Sequence, residues 1–295
     1  MKNKFLPYWC VAIGSVFIGF SAIFVKIIPM PSTVVGYYRM LFGALGLFII
    51  GIIRREKYFH SWGAIGFAAL AGFFLAIDVF SWQVSIRLIG PGLATIIGNL
   101  QIFILAAVGI LIYKETVNWK FYIALPLALF GLYLLVGFHW QTFSMDYRSG
   151  VYFGLLAALT YGLYTTTLRH SHQLDNPNAL KPIPNITWVS LFSALCLGLA
   201  AKFQHESFSI PTSHDWVLLL NYALFGQLLG WLFILIGLPY LRISIAGFLL
   251  LLQPICSFVL DIVIFHRSTP LHEWIGVIIT LLAIYLSLVA RITKT

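Results

Sequence analysis

The side chains most able to bind a ligand or take part in chemistry are polar residues inside long apolar stretches. Arg39, Asp78 and Asp261 are the ionisable residues that fall well within such stretches. A charge at the centre of a bilayer costs about 2.5–3.5 kcal/mol on insertion scales, so each of these side chains needs a partner or a wet cavity. Charges of this kind typically mark the path of a substrate or an ion through a membrane protein.

The positions of Arg39 and Asp78 along their stretches predict a similar depth in the membrane. Arg39 is about seven residues from the start of its stretch, or ~10 Å at 1.5 Å per residue. Asp78 is about nine residues, or ~13 Å, from the same surface. Asn99 and Gln101 are expected at similar or slightly greater depth, and Gln227 and Gln253 are expected close to mid-bilayer.

These polar side chains have two interpretations. They line a central cavity, or Arg39 and Asp78 form a structural ion pair while the amides join neighbouring helices. Trp82 and Trp231 are each one helical turn from a polar candidate, so they are expected to form cavity walls, with core packing as the alternative. The candidate substrate-binding residues are Arg39, Asp78, Trp82, Asn99, Gln101, Tyr161, Gln227, Trp231 and Gln253.

Asp261 is set apart from this group because it lies near the end of its stretch. We expect its carboxylate to be solvated or bonded to His266 or Arg267.

Sequence signatures of catalysis are missing. His272 and Glu273 begin like a zinc-peptidase helix, but the second histidine of that motif is absent. The sequence also has no nucleophile elbow and no Gly-rich phosphate loop ending in Lys-Ser/Thr. It therefore predicts no enzyme activity, no catalytic residues, no cofactor and no metal site.

The composition places the chain in lipid. Of 295 residues, 60% are hydrophobic and 9% are charged, with a mean hydropathy of +0.94; soluble domains carry roughly 25% charged residues. This excludes a soluble enzyme, a secreted disulfide scaffold and a transcription factor. The net charge of +9 comes from basic residues near span ends, in runs no longer than Arg54-Arg55, so no nucleic-acid partner is expected.

The elements that must position the polar residues are transmembrane helices. About 20 apolar residues cross a hydrocarbon core of about 30 Å, and an open lipid-facing strand would leave its backbone unpaired. The predicted spans are 6–27, 32–53, 62–87, 91–112, 119–137, 149–169, 183–202, 214–239, 244–264 and 271–292.

The distribution of Lys and Arg predicts the orientation. The apolar run at 6–27 exceeds the 7–15 residues of a signal-peptide core, so it is expected to be retained as the first span. With the N-terminus inside, the inner loops carry most of the basic residues, including Arg54 and Arg55. Both termini are therefore expected on the cytoplasmic side of a multi-pass protein.

The chain also carries a weak internal repeat. Shifting the sequence by about 152 residues places Ala94 on Ala246 and Gln101 on Gln253. Because five spans are an odd number, two such halves must have opposite orientation, as in many secondary transporters. The predicted fold is an all-α integral membrane protein with ten transmembrane helices, arranged as two inverted five-helix repeats around a central cavity. The repeats are 1–137 and 149–295, joined by a loop at 138–148.

Several separated motifs resemble the EamA-type members of the drug/metabolite transporter superfamily. The motifs are residues 21–26 and 38–40, then 82–87, 90–95 and 99–101, and in the second half 226–231 and 249–254. This resemblance implies the same ten-helix plan and transport of small organic metabolites, often amino acids and commonly outward. One departure is Arg267, which stands where the family tends to repeat the acidic residue seen here as Glu115.

The sequence and its resemblance together predict a secondary transporter or facilitator. It would export small organic, amino-acid-like metabolites across the bacterial cytoplasmic (inner) membrane by alternating access. The alternatives are an intramembrane enzyme and a non-transporting membrane scaffold. The expected partners are a small-molecule substrate and membrane lipid, and the chain is expected to be a monomer or a weak homodimer. Proton coupling is not favoured, because an arginine beside Asp78 stabilises the charged carboxylate.

Overall fold

A computed structural model describes residues 5–59, 61–112, 114, 118–136, 140, 143–173, 181–241 and 243–290. All regular secondary structure in these ranges is helical. Ten helical segments in them are long and apolar enough to cross a membrane. This confirms the predicted all-α architecture with ten spans.

The ten spans are built from thirteen α-helices, one π-helical turn and one 3-10 turn. The α-helices are α1 (Leu6–Ile27), α2 (Ser32–Ile53), α3 (Trp62–Ile89), α4 (Pro91–Gly98), α5 (Gln101–Leu111), α6 (Trp119–Val136), α7 (Met145–Gln173), α8 (Pro182–Phe203), α9 (Ser213–Ala223), α10 (Gly230–Gly237), α11 (Ile243–Leu250), α12 (Leu252–Phe265) and α13 (Leu271–Ala290).

The predicted span limits agree with the helices to within a few residues. The largest shift at a helix start is in α7, which begins at Met145 rather than at 149. Its first turn is polar, so a hydropathy pattern does not detect it. The Ser144 hydroxyl accepts the backbone N–H of Tyr147, and Asp146 lies in the first turn, where the helix dipole favours an acid.

Three of the ten spans are interrupted, which the hydropathy pattern did not indicate. The fourth span breaks between α4 and α5, and the ninth between α11 and α12. The eighth span passes from α9 through a π-helical turn, Leu224–Leu229, into α10 and a 3-10 turn, Leu238–Tyr240. Discontinuous membrane helices and π-turns are both frequent at functional sites.

The helices pack closely at positions occupied by glycine, where a larger side chain would not fit. The helix α1 packs on α10, where a Cβ on Gly14 would lie 2.7 Å from the Gly230 carbonyl oxygen. Likewise α6 packs on α13, where a Cβ on Gly131 would lie 2.3 Å from Thr280 Oγ1. Small residues at such contacts are typical of membrane helices. Large apolar side chains such as Ile49 are exposed on the outside of the bundle.

Candidate functional site

A cavity of about 310 Å³ lies between the helices. Residues from the first, second, third, fourth, sixth, eighth, ninth and tenth spans line it. All nine side chains singled out from the sequence are among its lining residues, namely Arg39, Asp78, Trp82, Asn99, Gln101, Tyr161, Gln227, Trp231 and Gln253.

One face of α3 supplies the acidic residue of the cavity. Leu75, Asp78, Val79 and Trp82 all line it, and their spacing of three or four residues puts them on one side of a helix. Asp78 is half-buried. Its carboxylate makes no hydrogen bond or ion pair with another residue in the described ranges. In its ionised form this carboxylate can accept hydrogen bonds only.

Arg39 is held by the eighth span rather than by Asp78. Its Nη1 donates to the Tyr222 hydroxyl at 2.9 Å, and its Nη2 donates to the Gly226 carbonyl at 3.3 Å. The guanidinium carbon also lies 4.9 Å from the centre of the Tyr222 ring and 5.5 Å from that of Trp82. The hypothesis of a direct Arg39–Asp78 ion pair is therefore wrong.

The π-turn brings the Gly226 carbonyl close to Arg39. A Cβ on Gly226 would lie 2.9 Å from Ser21 Oγ and 3.5 Å from Arg39 Nε, so a side chain at this position would crowd both neighbours. Arg39 Nε is itself buried without a hydrogen-bond partner. The guanidinium is enclosed, with only 6% of the residue exposed.

The amides of the fourth and ninth spans lie beside the two helix breaks. Gln101 is the first residue of α5, and Gln253 is the second residue of α12, followed by Pro254. Asn99, within the first break, donates its side-chain N–H to the Thr95 carbonyl at 2.8 Å. Gln101 Oε1 is buried and has no hydrogen-bond partner. The two breaks therefore bring backbone and amide groups to the cavity.

Gln227 is more firmly fixed than the other amides. Its Nε2 donates to Ser190 Oγ at 2.9 Å, and only 2% of the residue is exposed. A Cβ on Gly43 would lie 2.3 Å from Gln227 Cγ, so the absence of a side chain on α2 makes room for this amide. Gln227 therefore lines the cavity but is held in place by its neighbours.

Aromatic rings form much of the remaining wall. Trp82 and Trp231 line the cavity and are partly buried. On α7, Tyr161 and Tyr164 also line it, with their ring centres 5.3 Å apart in an edge-to-face arrangement. A solute in this cavity would meet one carboxylate, several amides, aromatic surfaces and the bonded Arg39 side chain.

A second polar group, here called the Asp261 cluster, joins the fourth and ninth spans to the first. It consists of Lys26, Gly92, Thr95, Ser257 and Asp261. The Asp261 carboxylate is 3.4 Å from Lys26 Nζ and accepts the backbone N–H of Gly92 at 3.2 Å. Ser257 Oγ lies 3.1 Å from Thr95 Oγ1 and donates to the Pro91 carbonyl at 2.9 Å.

The expectation for Asp261 was wrong. The residue is 0% exposed, and its partners come from the first and fourth spans rather than from His266 or Arg267. Arg267 instead donates to Glu273 Oε2 at 2.5 Å. Glu115, the acid expected in the matching position of the first half, lies outside the described residues.

Sequence reasoning missed Tyr222 and Ser190, which hold Arg39 and Gln227 in place. Tyr222 also accepts a hydrogen bond from Gln83 Nε2 at 3.2 Å. No signal in the sequence marks Tyr222 or Ser190 as a partner of the cavity residues, because both contacts join different helices. No cluster of three or more His, Cys, Asp or Glu residues suited to a metal occurs in the part of the chain that the structure describes.

Comparisons with known proteins agree with this architecture. The sequence model of the EamA-like transporter family matches residues 6–137 and 148–289. The chain belongs to the EamA-like transporter family. The resemblance to EamA-type proteins of the drug/metabolite transporter superfamily is therefore confirmed. This EamA-like protein is a multi-pass membrane transporter.

Two individual matches extend over almost the whole EamA-like chain. An uncharacterized transporter of Archaeoglobus fulgidus is 21% identical over 269 residues, which are 90% of each chain. A protein of known crystal structure superposes with a TM-score of 0.66 and 14% identity, covering 99% of both chains. At that identity the structural match supports the fold alone.

Proposed function

We propose that this protein is a secondary transporter that exports small organic, amino-acid-like metabolites across the bacterial cytoplasmic membrane by alternating access. The observation that carries the proposal is the meeting of nine polar and aromatic side chains from six spans at one cavity of about 310 Å³. Cavities of roughly 300–1,000 Å³ with a few convergent polar groups are typical of small-molecule sites.

The positions of the helix breaks support a site at the centre of a repeated fold. The helices α4 and α11 begin at Pro91 and Ile243 and end at Gly98 and Leu250, so both ends differ by 152 residues. This is the shift that aligns Gln101 with Gln253. Interrupted helices at corresponding positions of two inverted halves typically mark the binding site of a secondary transporter. The inverted five-helix repeat is part of this proposal.

The distribution of polar contacts along the cavity supports alternating access. On one side, the lining continues to Leu238, Gly247 and Leu288, near the ends of the eighth, ninth and tenth spans. Towards the other side, the Asp261 cluster ties the fourth and ninth spans together. With both termini in the cytoplasm, the Asp261 cluster lies on the outer side. It would have to separate for the cavity to open outward.

Counterflow in proteoliposomes tests this function. The purified chain would be reconstituted with one unlabelled amino acid or related metabolite inside, and uptake of the labelled form would be followed across a broad panel. We expect saturable exchange of at least one solute and its loss in Gln253→Ala. The control Asn221→Ala removes an amide outside the cavity and should exchange normally. Exchange of no solute, or equal exchange by both variants, would contradict the proposal and favour a scaffold.

A further inference from the structure

The two charges at the cavity are not equally available to a solute. The Arg39 guanidinium has both terminal nitrogens bonded within the protein, and the residue is 6% exposed. Asp78 is half-buried, and its carboxylate has no hydrogen-bond or ion-pair partner among the residues with described positions. Both residues line the cavity, and of the two charges the negative one is therefore the more available to a bound solute.

Capture of a carboxylate by Arg39 would disrupt existing contacts. Arginine binds carboxylates best through two parallel N–H donors. Here Nη1 is bonded to Tyr222 and Nη2 to Gly226, while Nε is buried without a partner next to the Gly226 backbone. The rings of Tyr222 and Trp82 also lie near the guanidinium. A solute carboxylate would have to break the contacts that hold the π-turn to α2.

The surroundings of Asp78 suit a cation. The faces of Trp and Tyr rings attract positive charge, and Trp82, Tyr161, Tyr164 and Trp231 line the same cavity. A protonated amine brings three donors and one positive charge, which matches an acceptor-only carboxylate. Gln101 Oε1, buried without a partner, is a further acceptor at the cavity.

We propose that the transported solute carries a protonated amine, that Asp78 binds this amine, and that a carboxylate on the solute is dispensable. Arg39 is then a positioning residue, which holds the eighth span against α2 and does not touch the solute. This inference rests on the proposed function, because it takes the cavity to be the transport site. It restricts the substrate class to amines with a compact apolar or aromatic body.

Matched probes separate the two charged groups of an amino acid. One set is leucine, 3-methylbutylamine, which lacks the carboxylate, and 4-methylpentanoate, which lacks the amine. A second set is phenylalanine, 2-phenylethylamine and 3-phenylpropanoate. Titration calorimetry with the full chain in nanodiscs would give the affinity of each probe without passive leakage of amines through vesicles. We expect the amine-bearing members of at least one set to bind, and the matching acid to bind about thirtyfold or more weakly.

Variants then assign the effect to Asp78. Asp78→Asn keeps the shape and loses the charge, so amine binding should fall about thirtyfold or more, while Asp78→Glu should retain it. The control Asp146→Asn removes an exposed carboxylate at the start of α7 and should bind normally. Should a substitution at Asp78 prevent folding, the three-probe comparison on the unaltered protein still decides the question.

The outcomes separate the two proposals. Equal binding of the acid and the amine, or unchanged amine binding in Asp78→Asn, overturns the amine inference and leaves the transporter intact. Exchange of only neutral or anionic metabolites in the counterflow panel also overturns this inference alone. Failure of every solute in counterflow overturns the proposed function itself.

Discussion

Two carboxylates within the membrane spans, Asp78 and Asp261, have opposite surroundings. Asp261 is 0% exposed and is satisfied by Lys26 and by the Gly92 N–H, which joins three spans. Asp78 is half-buried beside a cavity and has no bonded partner within the described ranges. Since a charge in the membrane needs compensation, the difference fits the roles proposed above, in which Asp261 joins helices and Asp78 binds a solute.

The largest expected effect is on stability at the Asp261 cluster. Lys26→Met leaves the buried Asp261 carboxylate without its cation, and breaking a buried pair in this way costs about 3–5 kcal/mol. Reversible unfolding in mixed detergent micelles would measure the loss. The control Lys57→Met, in an exposed loop position, should change the free energy of unfolding by less than about 0.5 kcal/mol.

A double variant checks the cause of that loss. Replacing both members of a buried pair by neutral groups is often neutral or stabilising. The variant Lys26→Met with Asp261→Asn should therefore recover most of the stability that Lys26→Met loses. If the double variant is as unstable as the single one, packing of the lysine chain rather than charge compensation explains the effect.

The next largest effect is expected at Asp78, where a substitution should reduce solute exchange rather than stability. Asp78→Asn removes an unpartnered charge, so we expect no loss of unfolding free energy. Exchange in proteoliposomes should nevertheless fall about thirtyfold or more. Removing one partner of a buried charge pair, here the pair between Asp78 and the solute amine, costs about 2–5 kcal/mol of binding free energy. A variant that is unstable but still exchanges solute would contradict the assignment of different roles to the two carboxylates.

The sequence was sufficient to predict the spans and to single out nine residues that line one cavity. Hydropathy is a property of a local stretch, and depth follows from counting residues at a fixed rise per residue. For this reason residue counting alone predicts similar depths for Arg39 and Gln101, and both residues line the cavity. That they act on a solute stays a prediction.

The sequence did not reveal which side chains are partners. Lys26 and Asp261 are 235 residues apart in the chain, and Arg39 and Tyr222 are 183 apart. Such contacts depend on the rotation of each helix about its axis, which residue counting along one span does not give. The π-turn at Leu224–Leu229 changes that rotation within the eighth span, and no hydropathy signal marks it.

A smaller effect is expected where the backbone makes room for Asp261. Gly90 has φ of 89° and ψ of 156°, a conformation that other residues adopt only under strain, and its Cβ would lie 2.5 Å from Asp261 Oδ2. Gly90→Ala should cost about 1–3 kcal/mol of unfolding free energy. Gly66→Ala, with nothing within 4 Å of its Cβ, should be neutral or stabilising by up to about 1 kcal/mol. Equal effects of the two substitutions would contradict this account.

The smallest effect is expected at Ser257, which lies in the Asp261 cluster but carries no charge. Its hydroxyl bonds the Pro91 carbonyl and Thr95 Oγ1, so Ser257→Ala removes two hydrogen bonds between the fourth and ninth spans. The expected cost is about 1 kcal/mol of unfolding free energy. The control Ser209→Ala, at an exposed loop position, should stay within about 0.5 kcal/mol of the parent chain.

Exchange by Ser257→Ala sharpens the distinction between the two regions. Because Ser257 helps to hold the fourth and ninth spans together and does not line the cavity, its loss should alter the rate of exchange without altering which probes compete for it. A rate change of up to about fivefold corresponds to 1 kcal/mol. A change in the order of probe affinities would instead show that the Asp261 cluster takes part in solute recognition, and the division between a binding carboxylate and a stabilising one would not hold.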